Sequence, residues 1–144
     1  FGATHSVSSV AEALDLVRDL TRGVMADSVV VAPSLIVGDD INAYLKLIRK
    51  GGTCVLTGMT AQTTRSAKIA LQDFILWNKN LVGTVFGSCN PRADIGRLAR
   101  LYQSGQLMLD EMITRRYRLD DINGAYADLL NGEIIRGVID FGLD

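Results

Sequence analysis

Metal-binding and disulfide-forming residues are scarce in this sequence. Its 144 residues include two cysteines, Cys54 and Cys89, and a single histidine, His5. Two distant cysteines are too few for a disulfide framework or a four-ligand zinc site, and we expect both to be buried thiols. The histidine, near the start of the chain and expected at the surface, leaves no Ser-His-Asp constellation. We therefore predict no metal site and no hydrolytic triad within this chain.

A charge excess of one sign and long apolar runs are also missing. The net charge is -1, with 22% charged and 48% hydrophobic residues, so no nucleic-acid partner is expected. The longest apolar stretch, residues 28–37, is far shorter than the ~20 residues that span a membrane. Because the first residues do not resemble a signal peptide either, we expect a globular, cytoplasmic protein with no membrane partner.

Helical spacing of apolar residues predicts two helices in the first half of the chain. The first begins after Ser9, in a capping-box pattern, and ends before Gly23. The second is capped by Asp39 or Asp40 and is terminated by the pair Gly51-Gly52. Each of these helices is followed by an apolar run, so helix and strand alternate.

The apolar runs predict buried parallel strands. Residues 29–32 and 53–57 lack polar alternation, as expected of strands covered by helices on both faces, and residues 81–86 form a further strand. Helices and strands in this order build right-handed parallel βαβ units, so the sequence predicts an α/β fold. The remaining predicted elements are a helical turn at residues 71–76, a helix from Asn90-Pro91 to Gly105, a helix over residues 122–130 and a last strand over residues 137–141.

The turns that follow the predicted strands are the default ligand site. They are residues 32–34, 57–59 and 86–88, and in an open parallel sheet they share the carboxyl edge, where ligands bind. The residues at this edge are small or apolar. A glycine-rich dinucleotide fingerprint is absent, because Gly51-Gly52 precedes a strand, whereas the fingerprint follows one and opens a helix.

Four segments resemble the zinc-dependent medium-chain alcohol dehydrogenases in order and spacing. They are Gly2-Ala3-Thr4, Gly51 to Met59, Gly83 to Ser88 and Ile135 to Ile139. The run from Phe86 to Ile95 is similar to the actinobacterial branch that contains nicotinoprotein and mycothiol-dependent formaldehyde dehydrogenases. The resemblance implies the C-terminal portion of a Rossmann-like doubly wound parallel sheet, followed by C-terminal helices and a final strand.

The resemblance also implies two domains and a set of cofactor contacts. Residues 1–89 would be the second half of a dinucleotide-binding domain, and residues 90–144 would return towards a catalytic domain. Backbone groups after two strands would hydrogen-bond the nicotinamide of NAD, Arg136 would reach its pyrophosphate, and Met59 and Val85 would face the substrate. The implied cofactor-binding residues are Ala32, Pro33, Thr57, Gly58, Met59, Thr84, Phe86 and Arg136.

In the family, the glycine-rich loop and every zinc ligand lie upstream of the position that matches Phe1. The chain is therefore expected to be part of an enzyme that transfers hydride between an alcohol, or a thiol-formaldehyde adduct, and NAD. It would contribute no catalytic residue and no metal ligand, and it would be inactive alone. In dimeric members the strand matching Leu81 to Phe86 pairs with its two-fold mate, so a homodimer is expected.

Two alternatives stay open at this stage. A stand-alone ligand-binding or signalling module would need acidic residues at the carboxyl ends of strands to hold magnesium, but Asp27 precedes its strand. A zinc-free relative of quinone reductases would use the same cofactor. Only the presence or absence of upstream cysteine and histidine ligands separates this second alternative from the alcohol dehydrogenases.

Overall fold

The computed structural model describes residues 1–142, and within them the chain divides into two compact units. The first unit contains residues 2–89, and the second contains Phe1 together with the residues from Asn90 onward. Each unit has its own parallel sheet. The predicted α/β class with parallel strands is therefore confirmed.

Three helices and three strands form the first unit. They are α1 (Val10–Leu20), β1 (Ala26–Val31), α2 (Ile41–Leu47), β2 (Ile48–Leu56), α3 (Leu71–Leu76) and β3 (Asn80–Gly83). The strand order is β1-β2-β3, so β2 is central and both neighbours run parallel to it. The carboxyl ends of all three strands therefore lie at one edge of the sheet.

Helix α1 begins where the capping-box pattern predicts. The Ser9 hydroxyl accepts a hydrogen bond from the Glu12 backbone N–H at 3.2 Å, which satisfies one free donor of the first turn. The Glu12 carboxylate accepts from the N–H of Ser8 at 3.0 Å, one residue before the cap. That backbone hydrogen bond is the main reason that the pKa of Glu12 is lowered.

Only one face of the first sheet is covered. Val31, Cys54 and Leu56 pack with Ile41 and Leu45 of α2 in a single apolar core. On the other face, three valines lie side by side across the strands in register, and Val30 and Val82 among them are 64% and 42% exposed. The expectation of helices on both faces is therefore wrong for residues 1–142, where α1 contacts α2 instead.

The pair Gly51-Gly52 does not terminate a helix. Helix α2 ends at Leu47 and β2 begins at the next residue, so both glycines lie inside β2. Their backbone loops out of the β1–β2 ladder, which pairs Ala26 with Ile48 but Ser28 with Thr53. A Cβ on Gly52 would lie 2.9 Å from the carbonyl oxygen of Arg49, so the bulge requires glycine there.

The other corrections in this unit concern element ends. Neither Asp39 nor Asp40 caps α2 with its side chain, and Asp39 instead forms an ion pair with Lys68 at 3.2 Å. Strand β1 begins earlier than predicted and stops before Ala32, and β3 stops at Gly83. Residues 84–86, predicted as strand, lie beyond the end of β3, although the backbone N–H of Thr84 still donates to the carbonyl of Leu56.

The second unit has fewer buried residues. It contains α4 (Pro91–Gln103), β4 (Ile113–Tyr117), α5 (Ile122–Leu130) and β5 (Arg136–Ile139), and β4 pairs with β5. Both helices and β5 were predicted, and Pro91 is the first residue of α4 as expected. Strand β4 was not predicted. Ile95, on α4, is 66% exposed.

Candidate functional site

The turns after the three strands of the first unit lie side by side. Thr57 donates its backbone N–H to the carbonyl of Val31 at 2.9 Å, so the turn after β2 is fixed to the end of β1. Thr84 donates its N–H to the carbonyl of Leu56 at 3.0 Å, which fixes the turn after β3 to the end of β2. These two bonds extend the ladder by one residue and form a continuous wall of backbone. We call residues 32–33, 57–59 and 84–86 the carboxyl edge.

Gly58 allows the central turn to pack closely on the segment that follows β1. Ile36 donates its N–H to the carbonyl of Met59 at 2.7 Å, and Leu35 and Met59 form an isolated parallel bridge. A Cβ on Gly58 would overlap the carbonyl oxygen of Pro33. The resemblance marked Gly58 as a cofactor residue, and the structure adds this packing requirement.

The side chains at the carboxyl edge form an apolar, open surface. Met59, Val85 and Phe86 are 75%, 77% and 86% exposed, and Ala32 and Pro33 are exposed as well. Large apolar side chains at such exposure gain stability when a flat apolar group covers them. The structure thus brings Pro33 beside Gly58 and Thr84 beside the end of β2, although none of residues 84–86 lies in a strand.

The backbone of the third turn is strained. Phe86, Gly87 and Ser88 have φ angles of +50°, +65° and +57°, all in the left-handed region. Glycine tolerates this region, but a bulky L residue such as phenylalanine does so at a cost of roughly 1–3 kcal/mol. Such strain is concentrated at ligand-binding and active sites, which agrees with the position of this turn.

One polar atom at the carboxyl edge has no partner. The Thr84 side-chain oxygen is buried, and within residues 1–142 it makes no hydrogen bond. The comparable hydroxyl of Thr57 lies 3.3 Å from the carbonyl oxygen of Val31, to which it donates. An unpaired buried hydroxyl destabilises a fold unless a ligand or water pairs with it.

Arg136 lies in the second unit. It is the first residue of β5, where it pairs with Ile113, and its side chain is exposed. Its backbone carbonyl oxygen accepts a hydrogen bond from the Thr114 hydroxyl at 3.5 Å. The guanidinium group takes no part in this hydrogen bond. Binding of a pyrophosphate by Arg136 stays a prediction.

The predicted cysteine environments differ from each other. Cys54 is fully buried in the core, as predicted, and desolvation raises the pKa of its thiol. Cys89 is exposed, so the prediction of a buried thiol is wrong there, because the left-handed turn carries it beyond the sheet. His5 is exposed, as expected. Across residues 1–142, no cluster of histidine, cysteine, aspartate and glutamate could hold a metal ion.

Sequence reasoning missed a concavity beside the edge. It has a volume of about 360 Å³, its apolar floor includes Ile36 and Leu56, and Thr60 and residues 64–67 form part of its wall. The wall lies so close to Gly38 that a Cβ there would overlap the carbonyl oxygen of Ser66. In the sequence, this concavity is marked only by Gly38, and a single glycine does not by itself indicate that a loop folds over it.

The chain matches the family described as zinc-binding dehydrogenase over residues 1–104. It belongs to this family. It is 42% identical over 139 residues to alcohol dehydrogenase B of Mycobacterium tuberculosis, covering 96% of this chain and 37% of the relative. The NDMA-dependent alcohol dehydrogenase of Amycolatopsis methanolica is also 42% identical, over 138 residues, with the same coverage.

A solved structure agrees with this assignment. Benzyl alcohol dehydrogenase from Acinetobacter calcoaceticus superposes with a TM-score of 0.83 at 25% identity, over 96% of this chain and 37% of that one. The predicted resemblance to the C-terminal part of zinc-dependent medium-chain alcohol dehydrogenases is confirmed. The chain spans about 37% of the length of these relatives. No helix within residues 1–142 is long and apolar enough to cross a membrane.

Proposed function

We propose that the chain is the nicotinamide-facing part of an alcohol dehydrogenase that transfers hydride between an alcohol, or a thiol-formaldehyde adduct, and NAD. The observation that supports this most is the backbone wall of the carboxyl edge, because fixed N–H and C=O groups can orient a carboxamide without reorganisation. The buried hydroxyl of Thr84, which has no partner within residues 1–142, fits a polar environment at this edge. NAD, when bound, supplies the hydride acceptor.

The residues of the chain would orient and enclose the cofactor and the substrate, and none of them would take part in the chemical step. Thr57, Gly58 and Met59 would hold one side of the nicotinamide through their backbone, with Thr84 and Phe86 beside them. Ala32 and Pro33 would line the adenosine side, Arg136 would bind the pyrophosphate, and Met59 and Val85 would face the alcohol or aldehyde. Backbone contacts suit this role because the sheet fixes their geometry.

Zinc does not fit the residues of this chain. No cluster of potential ligands occurs within residues 1–142, and the thiol of Cys54 is buried in the apolar core. In the proposed enzyme, residues outside this chain would hold zinc. We expect that enzyme to be cytoplasmic. The isolated chain is accordingly predicted to have no turnover, and zinc-dependent alcohol oxidation by the purified 144 residues would contradict this.

Binding of the pyridine ring can be tested without turnover. Backbone-amide NMR of the chain during titration with nicotinamide mononucleotide is expected to show shifts at residues 57–59 and 84–86. Met59→Ala, at a 75% exposed position, is expected to weaken binding by about threefold, because apolar contact with the ring is lost. Met108→Ala, at a 50% exposed position in the second unit, is the matched control and should bind normally. Shifts confined to other residues would refute the proposal.

Self-association through β3 is a second part of the proposal. β3 is an edge strand of the described sheet, so its outer N–H and C=O groups are available for a second copy. A homodimer would join two sheets there, as the resemblance implies for Leu81 to Phe86. Val82→Lys is expected to give a monomer in equilibrium sedimentation, since lysine on an edge strand opposes pairing. Val30→Lys, on the other edge strand, should remain dimeric; a monomeric parent chain would overturn the idea.

A further inference from the structure

Another concavity lies at the amino edge of the first sheet, at the opposite ends of the strands from the carboxyl edge. Its lining comes from residues 23–25 before β1, residues 46–50 at the end of α2 and the start of β2, and Trp77 before β3. Its volume is about 500 Å³, which is in the range of small-molecule sites. Because β1 is six residues long, roughly 20 Å separates this amino-edge cleft from the carboxyl edge.

The amino-edge cleft offers apolar and aromatic surface. Ile48, which is 1% exposed, contributes to the lining beside Val24, which is 63% exposed. The indole of Trp77 is 38% exposed, and the ammonium of Lys79 lies 4.8 Å from its ring centroid. Asp73 acts on that ammonium, which is not part of the cleft lining. A flat ring that covers Trp77 and Val24 would therefore bury apolar surface that is now exposed.

The two sides of the amino-edge cleft are held in place by backbone contacts. On one side, the N–H of Met25 donates to the Thr21 hydroxyl at 2.9 Å and fixes a backbone with a φ angle of +77°. On the other side, the N–H of Gly51 donates to the carbonyl of Trp77 at 2.8 Å. Since both sides are ordered before any ligand binds, binding would cost little ordering entropy.

Two lysines give the amino-edge cleft an excess of positive charge. Lys46 and Lys50 are both exposed and both contribute to the lining. Within residues 1–142, neither of them forms an ion pair. The third cation of the lining, Arg49, is paired with Asp27 at 2.6 Å and so has its charge neutralised. Two ammonium groups without carboxylate partners match a phosphate dianion, which lysine binds as a point charge.

We propose that the amino-edge cleft binds an aromatic phosphate, a planar ring that carries a phosphate ester. The ring would stack on Trp77 and contact Val24, and the ammonium groups of Lys46 and Lys50 would bind the phosphate. A monoanionic carboxylate would leave one of the two ammonium groups without a partner. This site goes beyond the proposed function, because it lies at the other edge of the sheet and shares no residue with the nicotinamide wall.

The probe for this site is 1-naphthyl phosphate, which combines a flat ring with a phosphate and contains neither ribose nor nicotinamide. Backbone-amide NMR of the chain during titration is expected to show shifts at residues 23–25 and 46–50 and at Trp77. Inorganic phosphate and 1-naphthol each provide only one half of the probe. Each is expected to bind at least about tenfold more weakly, because stacking and charge attraction are then separated.

Three substitutions test the assigned contacts. Lys46→Gln and Lys50→Gln are each expected to weaken binding of 1-naphthyl phosphate by roughly 2–5-fold, as for exposed ion pairs. Trp77→Leu is expected to weaken it by roughly 2–10-fold, because the aromatic contact is lost. Lys68→Gln is the matched control, since it removes the same charge from an exposed lysine outside the cleft and should bind like the parent chain. Unchanged amide shifts outside the cleft show that each variant is folded.

Three results would overturn the proposal. The first is an absence of shifts at the cleft residues of the parent chain. The second is an equal loss of binding in Lys68→Gln and Lys46→Gln, which would mean a general attraction of the anion to lysines. The third is binding of inorganic phosphate or 1-naphthol as tight as that of 1-naphthyl phosphate, because one half of the proposed site would then contribute nothing.

Discussion

The two sheets of this chain are stabilised by different kinds of interaction. The first has an apolar core, in which Ile48 and Cys54 are 1% and 0% exposed. The second depends on polar side chains: the Tyr117 hydroxyl donates to Asp128 at 2.7 Å, and Arg115 forms an ion pair with the same carboxylate. Apolar burial does not depend on pH or directed geometry, whereas a carboxylate network depends on both. We therefore expect the first sheet to be the more sensitive to truncation of a core side chain, and the second sheet to be the more sensitive to acid.

The largest expected effect is the loss of a core side chain from the first sheet. Ile48→Ala removes a fully buried side chain that packs with Val31 and Leu45, and is expected to cost about 3 kcal/mol of unfolding free energy. Trp77, the single tryptophan, lies in the first unit and reports its denaturant transition by fluorescence. Ile95→Ala, at a 66% exposed position, is the control and should change stability by less than about 0.5 kcal/mol. Equal losses from both variants would contradict an apolar core centred on Ile48.

The second sheet is expected to respond to loss of one hydroxyl. Tyr117→Phe removes the donor to Asp128 but leaves the ring over Gly137, where a Cβ would lie 2.9 Å from the ring. Amide hydrogen exchange of β4 and β5 should become faster. This acceleration should be smaller than the one that Ile48→Ala causes in the first sheet. Tyr126→Phe, at a 61% exposed position, is the matched control.

The same network gives the second sheet its acid sensitivity. The hydrogen bond from Tyr117 is the largest cause that lowers the pKa of Asp128; desolvation opposes it and Arg115 adds to it. A carboxylate with a lowered folded-state pKa stabilises the fold above its ordinary value of 3.8, and this contribution is lost as the pH falls through the lower, folded-state value. The difference between the parent chain and Tyr117→Phe should therefore disappear in acid. A difference that persists after Asp128 is protonated would show that packing, not the hydrogen bond, is responsible.

The contrast between the sheets also explains which elements could be predicted from the sequence. The apolar runs at 29–32 and 53–57 identify β1 and β2 because burial on the α2 face requires apolar residues. Strand β4 reads Ile-Thr-Arg-Arg-Tyr, and its three central side chains are exposed and polar, with both arginines in ion pairs, so no hydropathy pattern marks it. Thr114 illustrates this, since its hydroxyl accepts from the N–H of Ile135 at 3.1 Å.

The candidate site was predictable in position but not in detail. Parallel strands place the turns after β1, β2 and β3 at one edge, and that rule follows from topology alone. No residue pattern marks the left-handed backbone at Phe86 and Ser88 or the unpaired hydroxyl of Thr84, because neither state is typical of these residue types. The structural role of the glycines is ambiguous in the sequence, because the pair Gly51-Gly52 fits the end of a helix as well as a β-bulge.

Lys79 is the polar exception within the first unit and gives the smallest expected effect. It is 8% exposed, its ammonium donates to the carbonyl of Leu45 at 2.5 Å, and it lies 4.8 Å from the ring centroid of Trp77. The charge therefore stabilises the last turn of α2 and is desolvated at the same time. Because these effects oppose each other, Lys79→Met is expected to change the unfolding free energy by no more than about 1 kcal/mol at neutral pH.

The pH dependence of that small effect has a definite sign. Desolvation lowers the pKa of Lys79, although Asp73 opposes the shift, so the folded chain releases the proton more readily than the unfolded chain. The resulting stability is fully present above the ordinary value of 10.5 and is lost as the pH falls through the folded-state value. Thermal unfolding followed by Trp77 fluorescence should show the parent chain gaining stability relative to Lys79→Met as the pH rises towards 10.5. Lys50→Met, at an exposed position, is the control variant. A gain for Lys79→Met over the parent as the pH rises would contradict the prediction, because it would mean that the contacts of the ammonium with the Leu45 carbonyl and the Trp77 ring outweigh its desolvation.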